Sequence, residues 1–118
     1  MNIPRLVSSN FPYLPVQIDV DGDVRDIEAL LDTGFDGDLV LPEGLVPNPT
    51  AAAIYSHWTL ADGSDVRAPS YIANIRVGDF GPFVAVITIV GNEPLLGRSL
   101  TDRFRITLDH GRQVIVEP

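Results

Sequence analysis

The chain of 118 residues contains no cysteine, no lysine and a single tryptophan. Without cysteine there is no disulfide scaffold, no zinc ribbon and no thiol nucleophile, and the chain is compatible with a reducing cytosol without the absence deciding the compartment; a cytoplasmic location is the expectation. Without an ε-amine neither Schiff-base chemistry nor a lysine-bearing phosphate loop can be built. Basic charge is scarce as well: eight arginines stand against 16 acidic residues, a formal net charge of −8. Such a chain cannot neutralise a run of phosphates by mass of charge, which argues against nucleic acid and against an anionic membrane as partner. Long apolar runs are also missing. The longest, Phe83 to Val90, falls far short of a membrane span, and Met1 to Phe11 carries no signal-peptide core, so the chain reads as soluble and unprocessed.

What is present is the composition of a folded globular domain, 45% hydrophobic and 20% charged. The length fits one domain spanning 1–118 and is too short for two lobes with a cleft between them. A large cleft would have to borrow its second wall.

Strand signals dominate. Val16, Ile18 and Val20 alternate with polar residues, and Asp21-Gly22 offers a tight turn into a returning strand from Val24 to Leu31, expected to be buried on both faces near its end. Leu39-Val40-Leu41 is a short apolar run stopped by Pro42, and Glu43 to Ala53 reads as loop or a short helical turn. A second Asp-Gly hairpin runs from His57 to Tyr71 with Asp62-Gly63 at its tip, and Pro69 suggests an edge or a break. Val77 to Pro82 reads as a turn before the buried strand Phe83 to Val90. Ser99 to Phe104 is the one helix candidate, with Ser99 or Thr101 as cap and Asp102 in the first turn, and Arg105–Asp109 and Gln113–Val116 form two strands joined at His110-Gly111. The pattern predicts an all-β, barrel-like domain with one short C-terminal helix.

Within this pattern Asp32-Thr33-Gly34 stands apart. It follows the apolar strand Ile27 to Leu31 and precedes Phe35-Asp36-Gly37. An ionised carboxylate is costly where an apolar strand enters the interior, so Asp32 needs a partner or a function. Glycines at 34 and 37 let the backbone turn sharply and present that carboxylate on a rigid stem, an arrangement suited to a catalytic group.

The order Ala29-Leu30-Leu31-Asp32-Thr33-Gly34, a central Asp-Gly hairpin, and Leu95-Leu96-Gly97-Arg98 before a short helix resembles the retropepsin-like aspartic proteases, especially their bacterial single-domain members, from about residue 13 to the C-terminus. The resemblance implies a closed acid-protease β-barrel that is half of a dimeric two-lobed enzyme, hydrolysing peptide bonds of a peptide or protein substrate with no metal and no cofactor. It implies a homodimer in which two copies of Asp32 meet across a two-fold axis, Thr33 bonds to the partner loop, and Gly34 exposes backbone for substrate. Asp36 and Arg98 would form an ion pair bracing that loop, Leu95, Leu96 and Gly97 would pass beneath it, and Leu60, Ala61, Asp62, Gly63 and Ser64 would form the flap over substrate, with Trp58 at its base. Met1–Ser9 and Arg112–Pro118 would interleave in a dimer sheet, although Pro4 and Pro118 limit pairing. Phe35 departs from the small residue usual after Asp-Thr-Gly and is expected to narrow the subsites.

Other constellations fail on spacing. Asp19, Asp21, Asp23 and Glu28 suggest a calcium loop, but Val24 and Leu30 occupy the positions that need Gly and Glu. His57 and His110 are too far apart in sequence for a zinc motif, and Ser99 lies in no nucleophile elbow. A catalytically silent retropepsin-like module, binding peptide or dimerising through the same groove, is the alternative function.

Overall fold

The computed structural model describes residues 4–45 and 54–118. The loop expected over 46–53 lies outside them. Ten strands and one short helix follow in chain order: β1 (Leu6–Ser8), β2 (Tyr13–Val20), β3 (Asp23–Leu31), β4 (Leu39–Leu41), β5 (Ile54–Thr59), β6 (Asp65–Val77), β7 (Phe80–Ile89), β8 (Leu95–Leu96), α1 (Arg98–Thr101), β9 (Arg105–Asp109) and β10 (Gln113–Glu117), with a 3-10 turn at Glu43–Leu45.

Hydrogen-bonded neighbours run β2-β3-β8-β4-β7-β6, and β6 pairs again with β2, so the circuit closes on itself. Closure pairs the two ends of this circuit with each other, and β5, bonded to β6 alone, remains outside it as an edge strand. Both Asp-Gly hairpins form, β2–β3 through Asp21-Gly22 and β5–β6 through Asp62-Gly63, and Gly22 and Gly63 take the positive φ that such turns require. The strict alternation in β2 puts Leu14, Val16, Ile18 and Val20 inside, where they meet Ala29, Leu39, Leu41, Ile75, Val77, Ile87 and Leu96 in one apolar core.

Several expectations are corrected. β3 is open to solvent over its first four residues and only Ala29 is fully buried, because β2 alone flanks it until β8 joins at Leu30. Phe83 to Val90 is not buried throughout: Val84 is 72% exposed while Ala85, Ile87 and Thr88 are buried, since one face of β7 looks outward from the barrel. The turn expected over Val77 to Pro82 is confined to Gly78-Asp79, and β7 begins at Phe80. Pro69 does not break β6; it pairs with Tyr55 one residue before the β6–β7 ladder starts at Ser70, where a missing N–H leaves that ladder intact.

A second sheet, β1-β10-β9, closes the end of the molecule. Here the terminal segments pair within one chain, Leu6 with Val116 and Ser8 with Val114. Val114 and Val116 complete the core from this side. Among the described residues no helix is long and apolar enough to cross a membrane.

Candidate active site

The Asp32 loop is carried by a three-strand stem. β3 leads into it and β4 leads out, and β8 lies between them, parallel to β3 through Leu30–Leu95 and Leu31–Leu96 and antiparallel to β4 through Leu39–Leu96 and Val40–Leu95. Leu96 is fully buried, so the stem is anchored in the core. The loop then makes backbone bonds to the segment after β8. Asp32 N–H donates to Leu96 O at 3.0 Å, Gly97 N–H to Asp38 O at 2.9 Å, Arg98 N–H to Phe35 O at 2.8 Å and Ser99 N–H to Gly37 O at 3.1 Å.

These bonds explain the helix. The expected side-chain cap at Ser99 or Thr101 is absent; Gly97 is the N-cap and α1 spans Arg98–Thr101, with Asp102 at its C-terminal end. The first N–H groups of a helix lack intrahelical partners, and here the loop carbonyls of Phe35 and Gly37 accept two of them. Leu100 and Thr101 bury the short helix, and Phe104 packs beyond it against Phe80 and Phe83.

Asp32 is half-buried and its Oδ1 accepts the Gly34 N–H at 2.9 Å, while Thr33 and Gly34 are exposed. A Cβ at Gly97 would strike the carbonyl of Gly37, so this crossing demands glycine. Leu95, Leu96 and Gly97 thus lie against the loop and its stem. Leu60 to Ser64 form the exposed tip of the β5–β6 hairpin. There Asp62 Oδ1 accepts from the Ser64 hydroxyl at 2.6 Å and from its N–H at 2.9 Å, and these bonds, the hydroxyl first, hold the Asp62 carboxyl below its usual range.

Asp36 and Arg98 do not pair with each other. Among the described residues Arg25 pairs with Asp23, and His110 Nδ1 lies 2.6 Å from Asp109 Oδ1, both near hairpin turns. Asp36 is exposed, and Arg98 instead lines a hollow of about 230 Å³ with Leu31, Thr33, Thr101, Asp102, Phe104, Ile106 and Leu108.

Two residues that sequence reasoning underrated or missed take part. Asp38 Oδ2 accepts the Val86 N–H at 2.8 Å, extending the parallel β4–β7 pairing by one rung with a side chain where the backbone has already turned away. Its position directly before Leu39-Val40-Leu41 was the available signal. Phe35 is the other. Its ring does not stand free but folds onto Gly37 and Gly97, with Cζ 2.5 Å from where a Gly37 Cβ would sit, and packs on Trp58 with centroids 5.1 Å apart.

No family profile and no curated protein matches the sequence. The architecture does match solved structures. The fold is that of a retropepsin-like aspartic protease. A retropepsin-like aspartic protease from Rickettsia conorii superposes with a TM-score of 0.65 over 98% of this chain and 91% of that one, at 19% sequence identity.

Proposed function

We propose that the chain is an aspartic endopeptidase in which Asp32 and the partner's Asp32 form a catalytic pair across a homodimer. The observation that carries this reading is the Asp32 loop itself: a carboxylate at the end of a core-anchored strand, on a loop whose shape is fixed by backbone bonds to residues 96–99, in a retropepsin-like fold. One chain holds one Asp-Thr-Gly. Two carboxylates facing each other cannot both ionise cheaply and share one proton.

The chemistry follows from that shared proton. The ionised carboxylate takes a proton from a water as its oxygen bonds to the scissile carbonyl carbon, and the protonated one gives its proton to the carbonyl oxygen. In the second step the C–N bond breaks as the nitrogen gains a proton from one carboxyl of the pair and a hydroxyl of the intermediate gives its proton to the other, so acid and amine leave and the pair again holds one proton. Gly34 leaves room for the substrate backbone, and the β5–β6 hairpin serves as the flap, its compliant tip at Gly63.

Dimerisation is supported by the second sheet. Residues Val116 and Ile106, and Val114 and Leu108, share its inner face; at β10 that face is buried, but at β9 it overhangs the hollow beside Thr33, leaving Leu108 55% exposed. A two-fold mate seated there covers Leu108 and brings the two Thr33 loops together, an isologous contact. Asp36 and Arg98 are then assigned to the partner-facing side of the loop.

The test is digestion of a peptide library by wild type and Asp32→Asn over a range of pH and protein concentration. Cleavage that requires Asp32 and rises per chain with concentration is expected. Peptide binding without cleavage at any pH would replace this reading with the silent module.

A further inference from the structure

We infer that Phe35 and Trp58 form a releasable latch that couples the β5–β6 hairpin to the Asp32 loop, and that the Trp58 indole N–H sets how readily it opens. This rests on the reading of that hairpin as the cover of the Asp32 site.

Phe35 is placed to transmit. Its N–H donates to Asp32 O at 3.3 Å, its carbonyl accepts the Arg98 N–H at 2.8 Å, and its ring lies in a pit floored by Gly37 and Gly97. Trp58 closes the pit from the hairpin side. Its ring meets Phe35 at an interplanar angle of 54°, and its Cη2 lies 3.3 Å from where a Gly37 Cβ would be. One aromatic contact therefore joins the strand that carries the hairpin to the loop that carries Asp32.

The contact is not fully satisfied. Trp58 Nε1 is buried with no hydrogen-bond partner, the one such side-chain atom among the described residues. Two effects then oppose each other. An aromatic pair of this geometry favours the closed arrangement by about two- to tenfold. A buried donor left without an acceptor disfavours it by about fivefold or more, because in the open arrangement water takes the N–H. Burial of the two rings adds to the closed side, so the hairpin rests closed in the free chain, the unpaired N–H lowers the cost of opening it, and a bound peptide that adds contacts to the open state shifts the balance. A latch built from two leucines would carry no such opposing term.

The molecule supplies its own probe, since Trp58 is its only tryptophan. Without substrate, the indole N–H is expected to exchange with solvent more slowly than free indole, and acrylamide quenching of the fluorescence to be partial. Phe35→Leu is expected to raise both exchange and quenching about two- to tenfold. Phe35→Met serves the same purpose if the leucine variant does not fold. A tryptophan isostere with sulfur in place of the N–H, introduced at position 58, is expected to do the opposite and slow amide exchange at Arg98 and Ser99 about fivefold. Plain packing would make both changes loosen the loop. An indole that exchanges freely in wild type, a Phe35 variant that leaves it unmoved, or two variants shifting in the same direction would overturn the latch. None of these readings needs cleavage, so a protein that fails to cut peptides can still display the latch, and one that cuts can lack it.

Discussion

Asp38 commits its carboxylate to the Val86 N–H, whereas Asp32 accepts from Gly34 within its own loop and keeps its second oxygen without a hydrogen bond among the described residues. Two aspartates six positions apart are therefore held differently, one bonded to a distant strand and one only within its own loop. Asp38→Ala strands the Val86 N–H and is expected to lower stability by about 1–3 kcal/mol in urea unfolding, with Asp38→Asn recovering most of it through its amide oxygen. Gly97→Ala forces a methyl group into the Gly37 carbonyl and is expected to cost about 3 kcal/mol or more, above Gly37→Ala, whose clash is with a ring that can shift. At the hairpin tip the Asp62 carboxyl is held low, chiefly by the Ser64 hydroxyl. A depressed folded value means that the tip's stabilisation is present above the ordinary carboxylate range and is lost as pH falls through the lowered one. Ser64→Ala is expected to move the Asp62 titration upward, read by carboxyl carbon shifts in NMR.

At the level of elements, the periodic signals carried far. The alternation in β2 and the Asp-Gly pairs place the hairpins where they stand, because turn chemistry and two-residue periodicity are local. The helix starts one residue before its sequence signals for a non-local reason: its first N–H groups are satisfied by the Phe35 and Gly37 carbonyls, and no capping side chain advertises where it starts. The same limit hid Asp38 and the docking of Phe35 on Trp58, both of which depend on residues far apart in sequence. Arg98 and Asp36 were matched by position, yet within the chain they face different surroundings. The continuous apolar run around Val84 predicts burial, yet such a run cannot distinguish a two-sided strand from one on a barrel wall.

The whole molecule adds charge and symmetry. Each chain carries a formal −8, so two copies repel as they approach. If the proposed dimer forms, its dissociation constant is expected to fall as salt rises from low to physiological strength, the reverse of an interface held by ion pairs; sedimentation at several ionic strengths reads this directly. Leu108→Asp separates assembly from folding. The side chain is largely exposed in one chain, so unfolding of the monomer is expected to change by no more than about 0.5 kcal/mol, while dimer and peptide cleavage are lost together.

The bonds that join residues 35–38 to residues 97–99 also bear on when the site comes into existence. Loop closure over such a separation is entropically slow, and a ribosome releases the N-terminal partner long before the C-terminal one. A nascent chain that has already formed the β2–β3 hairpin still lacks a shaped Asp32 loop until the segment after β8 emerges. The shape of the Asp32 loop therefore waits on the making of residues 97–99, whatever the β2–β3 hairpin has already done.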